Sequence, residues 1–185
     1  FAYIFSTKSR AINTENFYWD VVNKTENAVS MRMYYGSPDK YLEQKYELND
    51  GDYKVKYTFN IVGMQNDLPP SNSSFKLNIA NKVPLQEGTT EAENMATTIY
   101  YKYTEEGTDY ISETSYEKEE LEMSTDWVSF KQQFFNTTYI PSESFKKGGT
   151  IETTEGDTSF VKGMEANLSI PYNHTPSETF NMNIF

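Results

Sequence analysis

The side chains best suited to ligand chemistry are the tyrosines of residues 100–116, in a chain that has 15 Tyr, 12 Phe and 2 Trp. Neighbouring residues of a strand point to opposite faces, so some of these rings are expected to face solvent. Exposed rings beside amides and carboxylates are typical of sugar recognition. The candidate binding platform comprises Tyr100, Tyr101, Tyr103, Tyr110, Tyr116 and Trp127. The alternative is that the tyrosines pack across strands and that Trp19 and Trp127 belong to the core.

A second candidate site consists of hard oxygen ligands. Asp39 lies in "GSPDKY", and three further residues cluster in "LNDGD": Asn49, Asp50 and Asp52. Carboxylate and amide oxygens suit Ca²⁺, so a structural calcium ion is one interpretation. Ordinary turn chemistry is the other, because the alternating Asp pattern of a calcium loop is missing. No other cofactor is predicted.

The sequence offers few combinations of residues that could form a catalytic site. The single histidine, His174, lies between Pro171 and Pro176, cysteine is absent, and no serine has a Gly-x-Ser-x-Gly context. Glycoside hydrolysis needs only two carboxylates, which this acidic chain has. The carboxylate patterns of small sandwich glycosidases are nevertheless missing. The sequence therefore predicts a protein that is not an enzyme, with glycoside hydrolase as the least favoured interpretation.

Charge and hydropathy limit the partners. A net charge of −11 and a pI near 4.6 disfavour nucleic acid and anionic lipid. No apolar run approaches the ~18 residues of a membrane helix, so no membrane insertion is predicted. The chain starts at Phe1, and five Asn-x-Ser/Thr sequons are candidate glycosylation sites: Asn23, Asn72, Asn136, Asn167 and Asn173. Export to the extracellular space, a cell surface or a virion surface is expected.

The elements that must position these residues are strands. In 53–61 every odd residue is apolar, from Tyr53 to Ile61, and "YLEQKYEL" before it alternates in the same way. Asp50-Gly51 between them predicts a tight reversal, because glycine readily adopts positive φ. The two runs are expected to form an antiparallel hairpin.

The same alternation recurs along the chain. Two more hairpins are predicted around Gly107 and Gly156, and 126–135 is expected to place Val128, Phe130 and Phe134 on one face with Trp127 and Phe135 on the other. Residues 84–96 are predicted to form a long loop, and the acidic run 113–123 a solvated edge or loop. About ten strands indicate an all-β jelly-roll β-sandwich of two antiparallel sheets with little helix.

The proposed division is an N-terminal strand or arm over 1–12, followed by a single sandwich domain over 13–185. Phe1, Tyr3 and Phe5 alternate with smaller or aliphatic residues in "FAYIF". Such a strand either folds back into its own domain or is added to an open sheet edge of another subunit.

The order of these features resembles the galactose-binding-like jelly-roll of carbohydrate-binding modules. The residues that carry the resemblance are Gly36, Gln44, Leu48, Gly51, Tyr53, Phe59, Trp127, Phe130 and Phe134. The resemblance covers about residues 13–185 and implies a non-catalytic module that binds a glycan or cell-surface polysaccharide. The opening "AINTENFYWDVVN" departs from the usual first strand of that class.

A second, competing resemblance is to the subunits of biofilm-matrix fibres and archaeal bundling pili. It rests on the aromatic start "FAYIFSTKS" and on a sandwich whose middle has a Gly-Asp turn followed by Phe59. It implies a structural subunit of an extracellular filament or virion appendage, assembled by donation of the N-terminal strand to copies of itself. Glycan binding is the favoured prediction and filament assembly the alternative.

Overall fold

A computed structural model describes residues 1–86 and 90–185 of the chain, in which strands predominate. The strands are β1 (Ala2–Ser6), β2 (Ala11–Asn13), β3 (Asp20–Lys24), β4 (Ala28–Tyr35), β5 (Ser37–Glu47), β6 (Val55–Val62), β7 (Ser74–Pro84), β8 (Thr98–Tyr103), β9 (Thr108–Tyr110), β10 (Lys118–Leu121), β11 (Thr125–Lys131), β12 (Asn136–Pro141), β13 (Lys146–Glu155), β14 (Phe160–Pro171) and β15 (Ser177–Ile184). A 3₁₀ turn spans Thr14–Asn16, and one α-helix, α1, spans Thr90–Ala96.

The strands form two antiparallel sheets that enclose the core. One sheet has the order β10-β13-β14-β7-β1-β2, and the other has the order β3-β4-β5-β6-β15-β12-β11-β8-β9. The predicted all-β sandwich is confirmed. Fifteen strands are present in the described residues instead of about ten, chiefly because short edge strands such as β2 and β9 are too brief for alternation to reveal.

The hairpin predicted around Gly51 is present. Tyr46 of β5 pairs with Tyr57 of β6, and Gly51 in the connecting turn has a φ of 72°. The alternation nevertheless overestimates the length of the second strand. Tyr53 is 93% exposed, because β6 starts only at Val55 and the turn occupies the residues before it.

The N-terminal strand is an integral part of its own domain. β1 lies between β7 and β2, with Tyr3 opposite Leu77, and Tyr3 is fully buried. Residues 1–12 therefore do not form a detached arm in this structure. Phe5 is also buried, whereas Phe1 lies at the edge of the core against Tyr57 and Tyr139.

Regular structure is present in one segment predicted to be a loop and in one predicted to be a solvated edge or loop. Helix α1 lies within the predicted loop 84–96, of which residues 87–89 fall outside the described ranges. The acidic run 113–123 contains β10, which is the edge strand of the six-stranded sheet, in agreement with the predicted solvated edge. Over the described ranges, no helix has both the length and the hydropathy to cross a membrane.

Candidate functional site

The outer face of the nine-stranded sheet has an open cleft beside the β11–β12 hairpin. In β11, Val128 and Phe130 are buried in the core, so the alternating residues Trp127 and Lys131 point outward. The cleft has a volume of about 570 Å³ and is lined by Tyr100, Trp127, Ser129, Lys131, Gln132, Gln133, Phe134, Phe135, Asn136, Thr138 and Ile140. We call it the aromatic cleft.

The tip of the hairpin presents two neighbouring phenylalanine rings. The amide N–H of Gln132 donates to the carbonyl oxygen of Phe135 at 2.7 Å and closes the turn. Phe134 is 67% and Phe135 74% exposed. Phe134 does not share the buried face of Val128 and Phe130 on which it was predicted, because β11 ends at Lys131 and the alternation ends with it. Phe134 and Phe135 both line the cleft together with Trp127, although alternation placed them on opposite faces.

The same tip borders a second cavity of about 220 Å³ next to α1. This cavity is lined by Val83, Pro84, Gln86, Glu93, Thr97, Gln132, Gln133, Phe134 and Phe135. The two phenylalanines therefore stand between the aromatic cleft and α1. An exposed apolar pair between two cavities is an arrangement suited to contact with another molecule.

Lys131 supplies the positive charge of the cleft. Its Nζ donates to the carbonyl oxygen of Ala96 at 2.9 Å, lies 3.6 Å from a carboxylate oxygen of Glu113, and lies 5.9 Å from the centroid of the Tyr100 ring. The lysine is thus held between the end of α1 and the cleft, and Glu113 offsets its charge. The chemistry of the cleft is accordingly apolar and aromatic, with hydrogen-bonding groups at its rim.

The predicted tyrosine platform divides between the two faces of the sheet. Tyr100 points outward and stacks on Tyr110, with ring centroids 5.1 Å apart, and burial raises the pKa of Tyr100. Tyr101 and Tyr103 point inward instead. Tyr101 is 5% exposed, and its hydroxyl donates to Glu119 Oε2 at 3.0 Å. Tyr103 is half-buried against the core, so neither ring lies on the outward face that carries Tyr100.

Tyr116 lies away from the aromatic cleft, beside α1. Its hydroxyl accepts a hydrogen bond from Asn94 Nδ2 at 3.4 Å, and its ring centroid lies 5.6 Å from Lys162 Nζ. The structure thus brings Tyr100, Tyr110 and Trp127 to one face and places Tyr101, Tyr103 and Tyr116 elsewhere.

The predicted calcium ligands do not converge. Asp39 lies near the start of β5, whereas Asn49, Asp50 and Asp52 lie in the turn that follows its end. At about 3.3 Å per residue, the two groups are about 30 Å apart. Asp52 Oδ1 accepts from the Lys54 amide at 3.0 Å, as expected for turn chemistry. Among the described residues, no cluster of three or more His, Cys, Asp or Glu side chains could hold a metal ion.

The five predicted glycosylation sites differ in accessibility. Asn23, Asn136 and Asn173 are exposed. The Asn72 side chain donates to the Ser6 carbonyl oxygen at 2.8 Å, and that of Asn167 donates to Glu165 at 2.8 Å. A glycan on either of the last two would be attached to a nitrogen that already donates a hydrogen bond within the domain.

A buried cation near the site has no signal in the sequence. Lys162 of β14 is fully buried, and its Nζ donates to the carbonyl oxygens of Thr97 at 2.7 Å and of Asn94 and Glu113 at 3.0 Å each. Burial lowers its pKa, and Glu113 opposes that shift. Lys162 and Lys131 together fix the C-terminal end of α1 to both sheets.

Comparison with solved structures supports the architecture. A crystal structure from Escherichia coli K12, of a protein provisionally named an aldose 1-epimerase, aligns with 98% of this chain and 77% of its own, with a TM-score of 0.53 and 10% identity. At this identity the likeness concerns the fold alone.

Sequence comparison decides the family. The family model of the YidC periplasmic domain matches residues 1–185, the whole chain. The chain belongs to the YidC periplasmic domain family. Relatives named membrane protein insertase YidC include those of Phocaeicola vulgatus (28% identity over 184 residues, 99% of this chain), Bacteroides fragilis (27% over 179 residues, 96%) and Porphyromonas gingivalis (26% over 170 residues, 91%). The chain spans about 30% of the length of these relatives.

Membership of the YidC periplasmic domain family corrects several predictions. The resemblances to carbohydrate-binding modules and to filament subunits are wrong, and with them the glycan partner, the donated strand and the cell-surface or virion location. The prediction of no membrane insertion is contradicted as well, since the relatives are named membrane protein insertase YidC. Export is confirmed in the coarser sense that the domain is periplasmic.

Proposed function

We propose that this chain is a non-enzymatic periplasmic domain of a membrane protein insertase, and that its aromatic cleft holds short apolar stretches of polypeptide. The observation that carries the proposal is the exposure of Phe134 and Phe135, at 67% and 74%, on the rim of the cleft. The proposal requires neither catalysis nor a cofactor.

The dimensions and chemistry of the cleft support a polypeptide as its occupant. A volume of about 570 Å³ lies within the range of ligand sites, about 300–1,000 Å³. Trp127, Phe134 and Phe135 offer surface to apolar side chains, while the amides of Gln132 and Gln133 at the rim suit the hydrogen-bonding groups of a peptide backbone.

Charge favours a polypeptide over a membrane surface. The net charge of −11 repels anionic lipid, and the lysine in the cleft is offset by Glu113. The relatives are named for the insertion of membrane proteins, which are rich in apolar segments. When such a segment binds, the exposed apolar surface of the phenylalanines is removed from water, which favours binding.

The test uses the domain with a Trp19→Phe substitution, which leaves Trp127 as its single tryptophan. Titration with a labelled apolar peptide is expected to change Trp127 fluorescence. The double variant Phe134→Ser/Phe135→Ser should weaken binding at least about tenfold, because each buried phenylalanine contributes about 1.5–3 kcal/mol.

The matched control is Tyr18→Ser/Tyr53→Ser, which removes two rings that are 96% and 93% exposed and do not line the cleft. This control should bind the peptide as the parent does. Equal binding by the phenylalanine variant and the parent would overturn the proposal. So would a fluorescence change with neutral lipid vesicles but none with the peptide.

A further inference from the structure

A second surface lies on the opposite sheet, along the outer edge of β10. Among the described residues this strand pairs only with β13, since it ends the six-stranded sheet. The amide of Thr153 donates to the carbonyl oxygen of Glu117 at 2.9 Å, which makes Glu117 and Thr153 a hydrogen-bonded pair. Such pairs alternate along an antiparallel ladder, so the backbone N–H and C=O groups of Lys118 and Glu120 point away from β13.

The outward groups of β10 have no backbone partner within the part of the chain that the structure describes. Lys118 and Glu120 are exposed residues. An open strand edge of this kind is completed by the backbone of another extended chain, which supplies donors and acceptors at the same spacing. The geometry therefore defines the occupant of this edge as an extended polypeptide segment.

The charges around the β10 edge determine which kind of polypeptide segment fits there. Residues 104–126 contain nine carboxylates and a single lysine, a net charge of −8 within a chain whose total is −11. Two of these carboxylates, Glu113 and Asp126, pair with Lys131 and Lys102, and Lys118 pairs with Glu152 of β13. Glu105, Glu106, Asp109, Glu120 and Glu122 make no ion pair with any described residue.

The acidic residues of both sheets meet along one side of the sandwich. Tyr101 of β8 donates to Glu119 of β10 at 3.0 Å, and the amide of Glu122 donates to Tyr103 Oη at 3.3 Å. The β9 edge of one sheet, with Asp109, thus lies beside the β10 edge of the other. A strand added to β10 would lie in a negative field from both sheets, which favours cationic side chains.

We propose that the free edge of β10 accepts an extended, lysine- or arginine-rich segment of a partner protein by strand addition. The backbone groups of Lys118 and Glu120 supply the ladder, and the surrounding carboxylates select a basic strand and reject an acidic one. The same carboxylates discourage pairing between copies of this edge, because like charges would then lie opposite each other. This surface is separate from the aromatic cleft and does not depend on its function.

The test measures binding of a labelled peptide of about six residues, a common strand length, in which lysine and valine alternate. Strand addition should slow hydrogen exchange at the Lys118 and Glu120 amides. A peptide with glutamate in place of lysine should not bind. Higher salt should weaken binding, because the Debye length falls from about 10 Å at 0.1 M to about 3 Å at 1 M.

Two substitutions separate the backbone contribution from the charge. Glu120→Pro removes an outward N–H and leaves the bonds to β13 in place, so it should weaken binding at least about tenfold. Glu120→Lys should weaken binding several-fold more than Glu26→Lys, which makes the same charge change in the exposed β3–β4 turn. Equal loss in the two lysine variants would overturn the proposal, since binding would then follow net charge alone. Unchanged exchange at Lys118 and Glu120 on peptide binding would overturn it as well, even if Glu120→Pro fails to fold.

Discussion

The ring of Tyr3 lies parallel to the ring of Phe59, with an interplanar angle of 5° and centroids 3.6 Å apart. Tyr3 belongs to the six-stranded sheet and Phe59 to the nine-stranded sheet, so this stack joins the two layers at the centre of the core. The N-terminal strand therefore contributes directly to the stability of its own domain.

The first prediction concerns this stack. Tyr3→Ala should lower the free energy of unfolding by about 3–5 kcal/mol, since it leaves a cavity the size of an aromatic ring between the sheets. Urea unfolding followed by circular dichroism measures the change. Tyr53→Ala, at a ring that is 93% exposed, is the control and should change stability by less than about 0.5 kcal/mol. A small effect of Tyr3→Ala would show that β1 contributes little to the core.

The second prediction concerns alkaline pH. Burial raises the pKa of Tyr3 and of Tyr57, whose hydroxyls are hydrogen-bonded to each other, and the Tyr57 hydroxyl also donates to Gln44 Oε1 at 3.3 Å. A folded-state pKa above the unfolded value of about 10 gives a stabilisation that is present below pH 10 and is lost as the pH rises above it. The free energy of unfolding should fall above pH 10.

The check is a series of urea unfolding curves between neutral pH and about pH 11, with Tyr57→Phe as the variant. This substitution removes one ionisable hydroxyl, so the alkaline loss of stability should become smaller. Tyr18→Phe, at a ring that is 96% exposed, should follow the parent curve. An identical alkaline loss in the parent and in Tyr57→Phe would contradict the prediction.

The third prediction concerns the stability of the domain at acidic pH. Hydrogen bonds from Lys102, Thr104 and Ser144 lower the pKa of Asp126 to about 2. Because the unfolded value is about 3.9, the stabilisation is present above that pH and is lost as the pH falls towards 2. Asp126→Asn should therefore reduce the acid dependence of unfolding between about pH 4 and pH 2. Glu26→Gln is the control, and an acid dependence unchanged by Asp126→Asn would refute the assignment.

The fourth prediction concerns the buried cation. Lys162→Met keeps the length of the side chain but removes a donor shared by three carbonyl oxygens, of which that of Asn94 keeps the bond from the Thr97 amide, so the free energy of unfolding should fall by at least about 2 kcal/mol. Hydrogen exchange should also become faster in α1, whose end these bonds hold. Lys56→Met, on the exposed face of β6, should have little effect on either measurement. Unchanged exchange in α1 would mean that Lys162 does not anchor the helix.

Alternation predicted the sandwich because strands such as β6 bury alternate residues, here Tyr57, Phe59 and Ile61, on one face. Alternation failed at the ends of strands and at shifts of strand register. Phe134 follows the last residue of β11, and Lys162 adjoins a register shift between Phe160 and Lys162 that brings both Val161 and Lys162 into the interior. Tyr100 and Tyr101 are adjacent tyrosines, so the alternating pattern is the same whichever of the two faces outward. Only the tertiary packing decides which ring is outward.

The position of β15 between β6 and β12 has a consequence for biogenesis. The last strand of this chain occupies the interior of the nine-stranded sheet, where it pairs along its length with β6 and also with β12. A polypeptide that emerges from its N-terminus can therefore complete this layer only once residue 184 has been released. Until then the edges of β6 and β12 that β15 covers stay unpaired, so the native layer forms late in the synthesis of this segment.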